Sequence, residues 1–187
     1  QKTLDTCVSK CADYEQVFSR TSKNSELYQI NQIEALYLTV VEQAMDLKDS
    51  FTKKRSYTKE QCESIIKQIE QKKTKENTVK YSICQDGSIT FEISALLERI
   101  VKKGLEYSKK SDGRFDIAIE PVSSLWDFTV KKPTVPDEQK IEKALAYVDY
   151  QKIALDDQKL TFQMPGMGID LGGIAKGYTS DRVENIF

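Results

Sequence analysis

The residues best suited to chemistry lie between Met167 and Val183, in the stretch MGIDLGGIAKGYTSDRV. Three of the chain's 8 glycines, Gly172, Gly173 and Gly177, surround one lysine, Lys176, and the carboxylate of Asp170 stands just ahead of them. Glycines at a helix start leave backbone N–H groups uncovered, and the helix N-terminus is electropositive, so the arrangement suits phosphate or another anion. Lys176 lies within reach of the same ligand. Beside phosphates, a carboxylate such as Asp170 usually serves a metal or a sugar hydroxyl. The spacing matches neither a P-loop nor the dinucleotide GxGxxG pattern. On spacing alone, a tight strand-to-helix turn accounts for the glycines as well as an anion loop does.

Other chemistries are narrowed by composition. The chain has no histidine, which removes the usual general base of a Ser or Cys nucleophile triad. Cys7 and Cys11, four residues apart on one helical face, read as small apolar core residues rather than a zinc site. A net charge of -1, from 28 basic and 29 acidic residues, gives no electrostatic footprint for nucleic acid. No run is apolar for long enough to span a bilayer. With 187 residues, 39% hydrophobic and 30% charged, the chain has the makings of one globular domain with a sizeable core. It begins at Gln1 rather than Met and ends on the apolar pair Ile186 and Phe187, so the expectation is one piece of a longer protein.

The elements that must position these residues follow from periodicity. Leu4, Val8, Cys11 and Phe18 predict an amphipathic helix over 2–18, and a polar break follows at 19–24. Residues 25–31 read as a short turn or helix. A second helix from Gln32 to about Lys48 then buries Ile33, Leu36, Val40, Val41, Ala44 and Leu47. The Lys/Glu-rich stretch 52–80 reads as a solvated helix or a mobile insertion, and Thr58 followed by Gln61, a capping box, favours the helix. Gln85-Asp86-Gly87 marks a hairpin between Val79–Cys84 and Ser88–Glu92. Ser94 caps the next helix, whose buried face includes Leu96, Leu97, Ile100, Val101, Leu105 and Tyr107. Residues 115–119 read as extended, with Trp126 and Phe128 as packed aromatics beyond Pro121. The sequence leaves the burial of Glu120 open. A helix over Asp137–Ala146 and a hairpin around Asp156-Asp157 lead into the glycine loop, where a further helix starts near Ile174.

Three blocks together resemble the ApbE family of FAD:protein FMN transferases. DLGGIAKGY, Asp170 to Tyr178, is followed by Asp181 and Arg182 as in the family signature. The stretch from Gly113 to Pro121, then Leu125, Trp126 and Phe128, is similar to the family's G-x-FD-x-T-x-x-P…LW-x-F segment, with Ala118 in place of the usual Thr. A weaker block runs from Phe18 through Ser25 to Asn31, with Thr21 where some members place an aromatic over the flavin. The blocks cover residues 3–31 and about 88–187. Residues 32–87 exceed the family's usual link, so an insertion is expected there.

The resemblance implies an α+β, ApbE-like fold of helices on an antiparallel or mixed sheet, forming the N-terminal and central part of a single domain. It implies transfer of FMN from FAD to a Thr or Ser hydroxyl of a target flavoprotein, with Mg²⁺ and release of AMP. By position, Asp170 and Lys176 would contact FAD, and Arg114, Phe115 and Asp116 would line the flavin site. Gly173 would offer its backbone carbonyl to Mg²⁺. The family's His and metal carboxylates would lie beyond residue 187, leaving the catalytic residues unknown. Members are commonly exported or lipid-anchored and act on membrane redox complexes, which implies an extracytoplasmic site of action. The alternatives are an FAD pyrophosphatase and a non-catalytic flavin-binding or docking module.

Overall fold

The computed structural model describes residues 2–44, 56–126 and 134–184. Helix α1 (Lys2–Phe18) is followed by α2 (Glu26–Ala44), α3 (Lys59–Lys72), strands β1 (Tyr81–Ile83) and β2 (Ile89–Glu92), and α4 (Ala95–Lys110). Then come a short α5 (Glu120–Ser123), α6 (Glu138–Leu145), β3 (Ile153–Asp156), β4 (Lys159–Phe162) and α7 (Gly172–Glu184). The α+β expectation holds, and the four strands form one antiparallel sheet in the order β1-β2-β4-β3. Leu47 and Phe128 lie outside the described residues.

The two hairpins are local, and their inner strands join them. Ile89 pairs with Phe162 and Phe91 with Leu160 across the centre. On one face Ile83, Ile89, Phe91, Ile153, Leu160 and Phe162 are buried, and the Phe91 and Phe162 rings meet edge-on at 5.8 Å. On the other face the Thr90 and Thr161 hydroxyls hydrogen-bond at 2.9 Å. One dry face and one wetter face is the pattern antiparallel sheets adopt when helices cover one side. The apolar side is completed by Ile30, Ile33, Tyr37 and Val41 of α2, Ile65 and Ile69 of α3, and Leu97, Ile100 and Val101 of α4.

Helix caps sit where the sequence places them. Thr58 and Gln61 form the reciprocal box at α3. Ser94 accepts from the Leu97 N–H at 3.1 Å and also donates to Glu26 of α2, so it ties two helices as well as starting one. Ser94→Ala is expected to cost about 1–2 kcal/mol, readable as a lower urea midpoint with an unchanged slope.

Four expectations are revised. Residues 26–44 form one continuous helix rather than a turn followed by a helix, because Ser25 accepts from the Tyr28 N–H and acts as the cap. Residues 117–119 are a 3₁₀ turn rather than extended, because Asp116 accepts from the Ala118 N–H at 2.7 Å. Tyr107 is half-exposed on α4. Cys7 is buried but Cys11 is exposed, since residues four apart on a helix share a side only approximately.

Candidate functional site

The site is assembled where α1 and α7 meet. Tyr14 and Phe18 of α1 stack at 5.6 Å, and Tyr178 of α7 sets its ring edge-on to both, at 6.2 and 5.8 Å. Such pairs add directional packing beyond area burial. The contact places Arg20, two residues past α1, against Asp170, two residues before α7. Arg20 Nε lies 3.0 Å from Asp170 Oδ2, with the side chains only 27% and 16% exposed. At that burial the pair is shielded from much of the screening that makes surface ion pairs negligible.

Asp170 is held from every side. Its Oδ2 also accepts from the Ser123 hydroxyl at 2.8 Å, and its Oδ1 accepts from the Gly172 N–H at 2.8 Å. Its own N–H donates to the Ile117 carbonyl at 2.9 Å. The carboxylate therefore covers one of the two glycine N–H groups that the sequence leaves uncovered, and it does so at the positive end of α7. Ile174 and Ala175 N–H groups donate to the Leu171 carbonyl, so the first turn of α7 is well ordered.

The strand-like run before Asp170 is pinned by α2. The Asn31 amide brackets residue 169, accepting from the Ile169 N–H at 3.0 Å and donating to its carbonyl at 2.9 Å. Glu34 Oε2 accepts from the Gly166 N–H at 3.0 Å. Gly166 takes φ +86°, a conformation open to glycine. Glu34 is fully buried and its Oε1 has no hydrogen-bond partner among the described residues. Burial pushes its carboxyl well above the usual glutamate range, opposed by the Gly166 N–H and reinforced by the charge of Glu120.

Glu120 lies against the same run. A Cβ built on Gly168 would fall 2.5 Å from Glu120 Oε2. Burial pushes the Glu120 carboxyl up to about 7, with Arg20 pulling it down and Asp170 pushing it further up. Both acids thus hold their protons more tightly folded than unfolded. The native state binds the extra protons above the ordinary glutamate range, so the stability they contribute is present at low pH and lost as pH rises through their folded values. Melting temperature is expected to fall between about pH 5 and 7. The slope should flatten in Glu34→Gln, measured by thermal melts across pH.

Residues 114–116 divide in role. Asp116 spends both oxygens on backbone, Oδ1 on the Ala118 N–H and Oδ2 on the Tyr150 N–H at 3.0 Å. Phe115 is anchored through Ser111, whose hydroxyl accepts from the Phe115 N–H at 3.0 Å. Its ring lies against α7, where a Cβ on Gly173 would fall 2.9 Å from Phe115 Cε2. Arg114 is exposed. Two clefts result. One, of about 490 Å³, is lined by Arg20, Thr21, Asp170, Gly172 and Lys176, with Tyr14 and Phe18 as its floor. The other, of about 550 Å³, is lined by Phe115, Gly173, Ile174 and Gly177 with Tyr107 and Lys110. The structure thus brings Asp170 and Lys176 to one side of the α7 start, and Phe115 and Gly173 to the other.

No three Cys, Asp or Glu side chains converge as metal ligands among the described residues. Both Asp170 oxygens already accept from N–H or O–H donors. These residues alone do not make a Mg²⁺ site. Sequence reading gave no role to Arg20, Ser123 or Glu34. Glu34 had a visible signal, a carboxylate four residues after Ile30 and three before Tyr37, inside an apolar helix stripe. Arg20 and Ser123 act across sequence distances that periodicity does not report.

The ApbE family model matches residues 37–187. A FAD:protein FMN transferase of Klebsiella pneumoniae is 41% identical over 76 residues, covering 40% of this chain and 24% of that protein. One of Haemophilus influenzae is 28% identical over 144 residues, covering 72% of this chain and 42% of that protein. Among solved structures, the flavin transferase ApbE of Vibrio cholerae superposes with a TM-score of 0.63 at 16% identity, covering 98% of this chain and 43% of that one. That likeness shows the fold. The chain spans less than half the length of each of these proteins.

Proposed function

Since the chain belongs to the ApbE family, we propose that it forms part of a flavin transferase that moves FMN from FAD to a Thr or Ser hydroxyl of a target flavoprotein. In this reaction the hydroxyl oxygen forms a bond to the FMN phosphorus of FAD. The bond from that phosphorus to the bridging oxygen breaks, AMP leaves, and the hydroxyl proton is released. The enzyme's task in such a displacement is positioning and charge neutralisation.

The observation that carries the reading is the fixed Asp170 carboxylate beside Lys176 at the start of α7. Three donors hold the Asp170 carboxylate in place. A preorganised carboxylate can accept from the hydroxyl or amine groups of a nucleotide without reorganising. Lys176, exposed in the same cleft, meets phosphate charge. Phe115, across the helix start, offers an apolar ring to the flavin. Mg²⁺ belongs to this reading: the Gly173 backbone carbonyl would contribute to holding it, and it would supply charge neutralisation on the pyrophosphate. An extracytoplasmic location, a lipid anchor and an acceptor on a membrane redox complex are proposed on the family resemblance. No described helix is long and apolar enough to cross a membrane.

The test uses the longest natural form of the protein, mixed with FAD, Mg²⁺ and a Thr-containing acceptor domain, with the acceptor weighed by mass spectrometry. A gain of one FMN, abolished by removing Mg²⁺, is expected. AMP released with no gain in acceptor mass would instead identify a hydrolase.

A further inference from the structure

Arg20 pairs with Asp170 and shares a second cleft with Glu120. It lines the cleft of Asp170 and Lys176, and it also lines a separate cleft of about 430 Å³ whose wall includes Glu120, Asn31 and Pro121. Glu120 lies close against Gly168, where an added Cβ would fall 2.5 Å from its Oε2. The helical turn that carries Glu120 also carries Ser123, the second donor to Asp170.

We propose that Glu120 is a positioning residue that acts through Arg20 to set how strongly the Asp170–Lys176 cleft takes a phosphate-bearing ligand. The ligand's identity as FAD rests on the transferase reading. The charged groups facing Glu120 are Arg20 from the segment after α1, Asp170 from the segment before α7, and Glu34 from α2. With Glu120 protonated, Arg20 neutralises Asp170 and Lys176 remains as net positive charge for the phosphates. With Glu120 ionised, two carboxylates share one guanidinium and that surplus is cancelled. The geometry places this in the neutral range, since burial pushes the Glu120 carboxyl up to about 7. One added charge at this range, partly screened, changes the affinity for a phosphate-bearing ligand by about tenfold.

The experiment is an FAD titration of the longest natural form, followed by flavin fluorescence at pH 6 and pH 8, for wild type, Glu120→Gln and Glu120→Ala. Wild type is expected to bind about tenfold more weakly at pH 8 than at pH 6. Glu120→Gln, neutral and nearly isosteric, is expected to keep the pH 6 affinity at both values. Glu120→Ala tests packing: if its affinity is low but pH-independent, position and charge are separable, as proposed. A Glu120→Gln curve that follows wild type, or a wild-type affinity that ignores pH, overturns the proposal. If wild type binds no FAD at either pH, the transferase reading fails instead. The same series with inorganic pyrophosphate then decides, with equal pH responses in wild type and Glu120→Gln counting against Glu120.

Discussion

Replacing Asp170 with Ala in the longest natural form is expected to weaken FAD binding by about 10- to 100-fold, the worth of charge-assisted hydrogen bonds. Transferase activity should fall at least as far. The argument is geometric. Asp170 accepts from Arg20, Ser123 and the Gly172 N–H at 2.8–3.0 Å. Removing it leaves the Arg20 guanidinium without its ion-pair partner, and it uncaps α7. Some stability should therefore be lost with the function, about 1–3 kcal/mol. Asp170→Asn separates the two effects. It keeps an acceptor for the Gly172 N–H, and so the cap of α7, but turns an amide NH2 toward Arg20 Nε in place of a charged acceptor. It should lose less stability than Asp170→Ala and still bind FAD poorly. Wild-type affinity in a folded Asp170→Asn variant would remove Asp170 from the binding machinery.

The second large effect is steric. Gly168 is buried, and a Cβ there would meet Glu120 Oε2 at 2.5 Å, its Cβ at 3.1 Å and its Cδ at 3.2 Å. The backbone at 168 is not in the left-handed region, so the whole cost of Gly168→Ala comes from the collision. Overpacking of this kind costs about 1–3 kcal/mol, a drop of several degrees in melting temperature for a chain of this size. The proof lies in the double variant. Glu120→Ala vacates the contested space, so Gly168→Ala combined with Glu120→Ala should cost clearly less than the sum of the two single changes, by about 1 kcal/mol or more. Strict additivity would mean that the two residues do not compete for one volume.

Local signals in the sequence were sufficient where the cause is local. Thr58 with Gln61, Ser94 and Asp137 each cap a helix within three residues of themselves, and the hairpin at Asp86-Gly87 is set by its own turn. The glycine run and the FD segment were legible because their residue types are unusual for plain structure. The support beneath them was not. Asn31 reaches Ile169 across 138 residues and Glu34 reaches Gly166 across 132, contacts that no window of sequence displays. Asp116 shows the converse limit. Its motif marks it for the flavin site, yet in the fold both its oxygens organise backbone. A motif states which residues matter more readily than whether they touch ligand or hold the scaffold that does.

The order of the strands carries a consequence for how the chain folds. Each hairpin can form on its own, but an isolated hairpin is marginal in water. Stability comes from the central pairing of β2 with β4, which joins Ile89 to Phe162. That contact closes a loop containing α4, α5 and α6, and the loop's entropy must be overcome before the apolar face of the sheet can be sealed. On the ribosome, the first hairpin waits with an unpaired inner edge while about 70 further residues are made. β2 carries Ile89 and Phe91 on that waiting strand. The interval between its synthesis and the arrival of β4 is when this chain is most exposed to pairing with a copy of itself.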